Sequence, residues 1–358
     1  FPVTLIREPG ITAVYAGYDD MITGFLLDDG TVSVQASGDS PVTFTADGKI
    51  DKQELSVSVR DVVGKMDKIW PFTNIPYVQF DSGLVTGAFE ITGLVTDPEF
   101  YGEFSTSDIL VYSPGHLVEK FTPEPFVITA DGKTLSVKPF LLRSDKSEFS
   151  ADAIAYFDRW IPNRVELNVD TMPGKQLLVD TENPYFTVEG RASCNLFLSF
   201  SKEGIVVRGP VGFDRGSFAI MFSGFMNSND GDNSSTDVFV DLKLDVGQKV
   251  EFRWPSNDFP ILRGLIQAEE PVLISYDSSQ DTFSLKGFAN LKGGELFYIK
   301  RSFYLRQGSI SFNENQDIFD PMISLRAEIR ERDEKGEPVR IILSVENQPL
   351  SSFSPVMY

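Results

Sequence analysis

The sequence predicts an all-β fold: a long, curled, antiparallel-type sheet with one apolar face, one wet face and one or two short helices. Three observations carry this. Apolar and polar residues alternate with period two along most of the chain, which sends them to opposite faces of a sheet. Glycine and proline corners recur at strand-and-turn spacing, giving roughly 25 strands. Helical spacing is nearly absent. The alternation is plainest from Phe283 to Ile329, which reads as four or five adjacent strands. Phe283 and Leu285 alternate with Ser284 and Lys286, then Leu296 to Ile299 follow Gly293-Gly294. Phe303, Leu305, Ile310 and Phe312 flank Gly308, and Ile323, Leu325, Ala327 and Ile329 alternate with Ser324, Arg326, Glu328 and Arg330.

The elements follow in order. Val3 and Leu5, Val14 and Ala16, and Val32, Val34 and Ala36 after the Asp28-Asp29-Gly30 turn read as strands, as do Val42, Phe44 and Ala46. Asp47-Gly48 is a hairpin-type dipeptide, and Leu55, Val57 and Val59 make the strand after it. At Asp61 the period changes: Val62, Val63, Met66, Ile69 and Trp70 share a helical face, with Asp61 as N-cap and Pro71 as the stop. Gly83, Gly87, Gly93 and Gly102 punctuate the next strands, as bends in a curled sheet do. An echo then appears, Val42–Lys49 (VTFTADGK) returning as Phe126–Lys133 (FVITADGK), each copy followed by a further alternating strand. That pattern favours stacked sheet units. Short strands continue to Phe222, and the polar stretch from Asn227 to Asp237 separates them from the cleanest strand. There Val238, Val240, Leu242, Leu244 and Val246 alternate with Phe239, Asp241, Lys243 and Asp245, and Val250, Phe252 and Trp254 carry the apolar face onward.

Composition bounds function. The 358 residues carry a net charge of −20, spread over strand faces and turns. Such a surface repels phosphate backbones and anionic headgroups, which argues against nucleic acid and against electrostatic membrane docking. Cys194 is the single cysteine and His116 the single histidine, so neither an intrachain disulfide nor a multi-histidine metal site is available. The chain begins at Phe1 without methionine or leader, and is read as a fragment of a longer protein. The acids of residues 227–237 lack the ligand spacing of a calcium-binding EF-hand loop. Asn233-Ser234-Ser235 matches a glycosylation sequon. Asp19-Asp20, Asp28-Asp29 and Glu269-Glu270 could suggest a β-helix hydrolase, but neighbouring acids on a strand face opposite ways and those in turns are solvated. No catalytic residue, metal or cofactor is expected.

Several stretches, in order, resemble one family. They are Val207-Arg208-Gly209 with Arg215 to Phe218, the strand Val238 to Val246, Arg306-Gln307-Gly308-Ser309-Ile310-Ser311-Phe312, Asp320-Pro321 to Ala327, and Pro349 to Pro355. Together they resemble the C-terminal region of the TamB family, of the AsmA-like, bridge-like proteins of the bacterial envelope. Gly87 to Gly93 with Pro98 and Gly102 is similar to that family's degenerate repeat. Asn347 departs from the pattern, where glycine is expected. On this resemblance, residues 1–205 form repetitive sheet units of the trough and 206–358 the C-terminal region.

The resemblance implies an open apolar trough (a β-taco), on the order of 120 Å long at about 4.8 Å per strand. It implies a periplasmic bridge component, its parent anchored in the inner membrane, that shields phospholipid acyl chains on their way to the outer membrane. An Omp85-type barrel is the implied protein partner, with assistance to outer-membrane protein assembly, and membrane contact through segments outside this chain. The residues expected to line the groove are Val238, Val240, Leu242, Leu244, Val246, Phe252, Trp254, Phe283, Leu285, Phe303, Leu305, Ile310, Phe312, Ile323 and Leu325. The competing expectation is a β-sandwich array, an adhesin or interaction module whose alternating faces form dry cores.

Overall fold

The computed structural model describes residues 3–17, 21–73, 78–182, 186–220, 237–256, 258–280, 282–313 and 320–358. The fold is all-β, with 25 strands in a mixed sheet and one short helix. The chain divides into two compact units, Phe1–Pro114 with Glu119–Val169 and Ser199–Lys202, and Gly115–Val118 with Asp170–Leu198 and Glu203–Tyr358.

In the first unit the strands are β1 (Val3–Glu8), β2 (Ile11–Ala16), β3 (Ile22–Leu27), β4 (Thr31–Ala36), β5 (Val42–Asp51), β6 (Glu54–Lys65), β7 (Gln79–Leu94), β8 (Asp97–Tyr112), β9 (Thr122–Pro123), β10 (Val127–Gly132), β11 (Thr134–Arg143), β12 (Glu148–Asp158) and β13 (Ile161–Thr171). From β1 to β8 each strand pairs antiparallel with the next, and β8, β10, β11 and β12 continue the series.

The expected helix from Asp61 to Trp70 is mostly strand. β6 runs on to Lys65, pairing Val62 with Gly87 and Val63 with Thr86. β-Branched side chains fit a pleated surface better than a helix, and Val62 is buried against Ala46 and Val59. Asp61 is no N-cap: it has φ 53° and sits in the bulge between Val59 and Val62. Only Met66–Ile69 is helical (α1), followed by a 3₁₀ turn over Trp70–Thr73. The Trp70 indole N–H donates to the Val78 carbonyl at 2.7 Å and its ring lies 4.7 Å from Phe80.

The echo folds in two ways. Gly132 (φ 64°) with Lys133 forms the two-residue turn between β10 and β11, as expected of Asp-Gly. Asp47-Gly48 instead lies inside β5, opposite Ser58 and Val57, and the chain turns later, at Lys52 (φ 58°).

In the second unit the strands are β14 (Leu177–Glu182), β15 (Phe186–Ser201), β16 (Gly204–Ile220), β17 (Val238–Val246), β18 (Val250–Trp254), β19 (Leu262–Gln267), β20 (Val272–Asp277), β21 (Thr282–Tyr298), β22 (Arg301–Asn313), β23 (Met322–Arg332), β24 (Pro338–Pro349) and β25 (Val356–Met357). Not all of it is antiparallel. β17 and β18 lie end to end along β16, both parallel to it. β21 is similarly long, pairing with β20 in its first half and β19 in its second.

The Phe283–Ile329 stretch is three long strands where four or five were expected. Gly293-Gly294 bulges within β21 and does not end it: a Cβ on Gly294 would overlap the Arg263 carbonyl and sit 2.7 Å from Gly264 Cα. Glycine there permits close approach of two backbones at a bend. Gly308 likewise stays inside β22. Asn347 keeps the backbone its position requires, at φ 46° in the bulge opposite Ser324, whose hydroxyl accepts its N–H at 2.9 Å. Asparagine tolerates the left-handed region better than other residues with a Cβ.

Candidate functional site

The pairing registers of the first unit align one apolar residue per strand. The row runs Leu5, Val14, Gly24, Val34, Ala46, Val59, Phe89, Gly102, Ala130, Leu135 and Ala155. A parallel row holds Leu26, Val32, Gly48, Val57, Ile91 and Phe100. Between them, on the opposite face, runs Ser33, Asp47, Ser58, Glu90, Tyr101 and Asp131. Asp47 accepts hydrogen bonds from Ser33 at 2.8 Å and Arg60 at 2.6 Å, and these two bonds hold its carboxyl below the usual range. One face of this sheet is thus hydrocarbon and the other ion-paired.

The apolar face is only partly sealed: Ala46, Val59 and Ala130 are buried, and Val34, Val57, Phe89 and Ile91 pack on the small core of Ala46, Val59 and Val62. Val14, Val34, Val57, Phe89, Ile91 and Leu135 are all half-buried, and Leu26 is 37% exposed. Its close approaches are built from glycine against phenylalanine. Gly87 faces Phe104 and Gly102 faces Phe89, and a Cβ on Gly102 would lie 2.6 Å from Phe89 Cα. The two rings meet at 5.4 Å between centroids. None of these residues was among the expected groove residues, although the alternation of Val32 to Val59 already gave Val34 and Val57 as apolar positions of strands.

The second unit is closed. Of the large side chains that are fully buried, all but Phe121 belong to it. Phe252, Trp254, Leu285, Phe303, Leu305, Ile310, Phe312, Ile323 and Leu325, all expected to line a groove, join Ile220, Leu262, Leu296, Leu343 and Leu350 in one core with at most 5% exposure. Such side chains touch protein on every side and present no surface to a ligand. Leu244 and Phe283 are half-buried against this core. Val238, Val240 and Leu242 are half-buried on β17 outside it, and Val246 packs with Phe213 and Val250.

Two of the stretches that carried the family resemblance, Asp320-Pro321 to Ala327 and Pro349 to Pro355, meet to close that core. The backbone N–H of Ser351 donates to Asp320 at 2.9 Å and its hydroxyl bonds the same carboxylate, while the Leu350 N–H donates to the Pro321 carbonyl at 3.0 Å. Leu350, 1% exposed, is thereby held in the core, and Phe353 packs on Trp254 at 5.3 Å. On the outward face, the bulge at Arg306 brings its guanidinium to Glu328 at 2.5 Å, with Arg340 at 3.7 Å. The Arg306 hydrogen bond, aided by the charges of Arg340 and Arg330, lowers the Glu328 pKa. A carboxylate with a lowered folded pKa stabilises above its unfolded value, about 4.3, and loses that contribution as pH falls through the folded value. Glu328→Gln should therefore flatten the pH dependence of the urea midpoint as pH falls below about 4.3.

The residues weighed for chemistry are scattered. His116 Nδ1 lies 3.4 Å from the Thr181 hydroxyl. Cys194, whose thiol burial pushes up, has Thr171 as neighbour at 3.4 Å. Asp29 accepts the Thr31 N–H at 2.9 Å within its turn, and Glu269 and Glu270 are exposed. Asp19-Asp20, the sequon and residues 227–236 lie outside the described residues. Among the described residues no group of three or more acids, histidines or cysteines could hold a metal, and no helix is long and apolar enough to cross a membrane.

No curated protein and no solved structure matches the chain. The TamB C-terminal domain family matches residues 141–357, more than half its length. That match embraces the closed core, the Asp320–Ser351 clamp and the Asn347 bulge: the chain belongs to the TamB C-terminal domain family of the bacterial envelope.

Proposed function

We propose that the chain is part of a periplasmic bridge whose apolar face shields phospholipid acyl chains between the inner and outer membranes. Its parent is anchored in the inner membrane and works beside an Omp85-type barrel in outer-membrane protein assembly. The observation that supports this reading is the apolar row from Val14 to Leu135, one residue per strand, in which Val14, Val34, Phe89 and Leu135 stay half-buried while Ala46, Val59 and Ala130 between them are buried. Hydrocarbon laid on such a face gains roughly 0.8 kcal/mol per buried methylene. On the second unit Val238, Val240, Leu242, Leu244 and Val246 of β17, with Phe283, are the expected groove residues that keep some surface. β24 suits the barrel partner, because beyond its pairing with β23 its other edge is covered, among the described residues, only by β25 and Tyr358, from Ile342 to Ser344. Free strand edges accept a further strand.

Lipid extracted from protein purified out of bacterial envelopes tests the groove. Phospholipid should accompany the wild-type chain. Val34→Glu and Leu242→Glu should each lose most of it while the unfolding temperature moves by only a few degrees, roughly that of a 1 kcal/mol change. Lys243→Glu, on the exposed face of β17, should keep it. A wild-type chain that purifies free of lipid would defeat the proposal.

A further inference from the structure

We propose that the outward face of β21–β23, with the β21–β22 turn at its end, docks on a bilayer surface rich in anionic phospholipid. The net charge of −20 argues against such docking, but this face has the opposite sign. Lys286 and Lys292 project from β21 on the side opposite buried Leu285 and Leu291, Arg326 projects from β23, and Lys300 stands in the turn. None of these four makes an ion pair among the described residues. The acids on the same strands are already engaged, Glu295 by Arg263, Glu331 by Arg301, and Glu328 by both Arg306 and Arg340. Asp333, in the turn after β23, accepts the N–H groups of Lys335 and Glu337.

Apolar side chains stand among these cations. Phe297 is 52% exposed, Tyr304 62% and Ile299 65%; Phe259, 86% exposed, sits in the loop whose Ile261 carbonyl accepts the Phe297 N–H at 2.7 Å. Ile299 (φ 48°) and Lys300 (φ 59°) form the two-residue turn between paired Tyr298 and Arg301. Such turns favour Asn-Gly, and a β-branched residue there is strained. The turn therefore keeps an exposed isoleucine at a conformational cost. Protruding apolar and aromatic side chains ringed by lysine and arginine match a headgroup layer over hydrocarbon, which takes both kinds at once. A protein carboxylate surface would recognise only the cations.

Vesicle sedimentation with the purified chain tests this independently of the acyl-chain groove, whose lipid content is read by extraction. The chain should pellet with vesicles containing phosphatidylglycerol and not with phosphatidylcholine alone, and the binding should weaken as salt rises. Each charge removed should cost about fivefold in partitioning, so Lys292→Glu with Arg326→Glu should abolish it, while Lys49→Glu on the first unit should not. Ile299→Asn should lower partitioning about tenfold yet leave the unfolding temperature unchanged or higher, since asparagine relieves the turn. Equal binding to both vesicle types, binding to neither, partitioning indifferent to these variants, or binding to polyglutamate alone would each overturn the proposal.

Discussion

Ile323→Asp is expected to unfold the second unit outright. Ile323 has no exposed surface and sits at the centre of a core shared by β18, β19 and β21–β24, flanked on its neighbouring strands by Ile310 and Gln348. A carboxylate there has no cation beside it on the core face of β23, because Arg326, Arg330 and Arg332 alternate to the other side. Burying it costs several kcal/mol, or the group protonates at a similar cost. That is a large share of the roughly 5–15 kcal/mol that holds a domain together. Loss of the cooperative thermal transition of this unit, followed by tryptophan fluorescence from Trp254, is the measurement. A normal transition would mean that the core admits water. The same charge at Val34, half-buried on the first unit, should leave folding intact.

Gly48→Ala is expected to be far more damaging than Gly132→Asn, although both glycines stand at the same place in the repeated octapeptide. A Cβ on Gly48 would overlap the Ser56 carbonyl oxygen and lie 2.6 Å from Val57 Cα. Both are backbone atoms of the paired strand, with nowhere to go. Opening the β5–β6 ladder should cost on the order of 3 kcal/mol, the upper end of overpacking costs. At Gly132 the nearest foreign atom is the Tyr101 hydroxyl at 3.7 Å, and φ is 64°, which asparagine accepts. That variant should stay within about 0.5 kcal/mol of wild type. Equal urea midpoints for the two variants would refute the distinction.

The sequence by itself determined the fold class, the strand count and which residues share a face, because period-two alternation is a property of the local chain. It also determined the family, through several stretches whose order survives. It did not determine what covers each apolar face. Leu242 and Ile323 look alike in alternation, yet one lies half-open on β17 and the other has no exposed surface at all. That difference arises from which strands fold over which, and from the Asp320–Ser351 clamp that seats Leu350. Local pattern likewise misplaced three breaks, at Asp47-Gly48, Gly293-Gly294 and Gly308, and a helix. Asp47-Gly48 is drawn into a ten-residue strand by pairing with β4 and β6, and Val62 is held in β6 by Gly87. Charge shows the same division. A chain total of −20 was legible at once, whereas the cationic face on β21–β23 exists only because antiparallel pairing brings distant lysines and arginines side by side and spends their neighbouring acids in ion pairs. Alternation fixes the side of a sheet a residue takes; only tertiary pairing decides what it meets there.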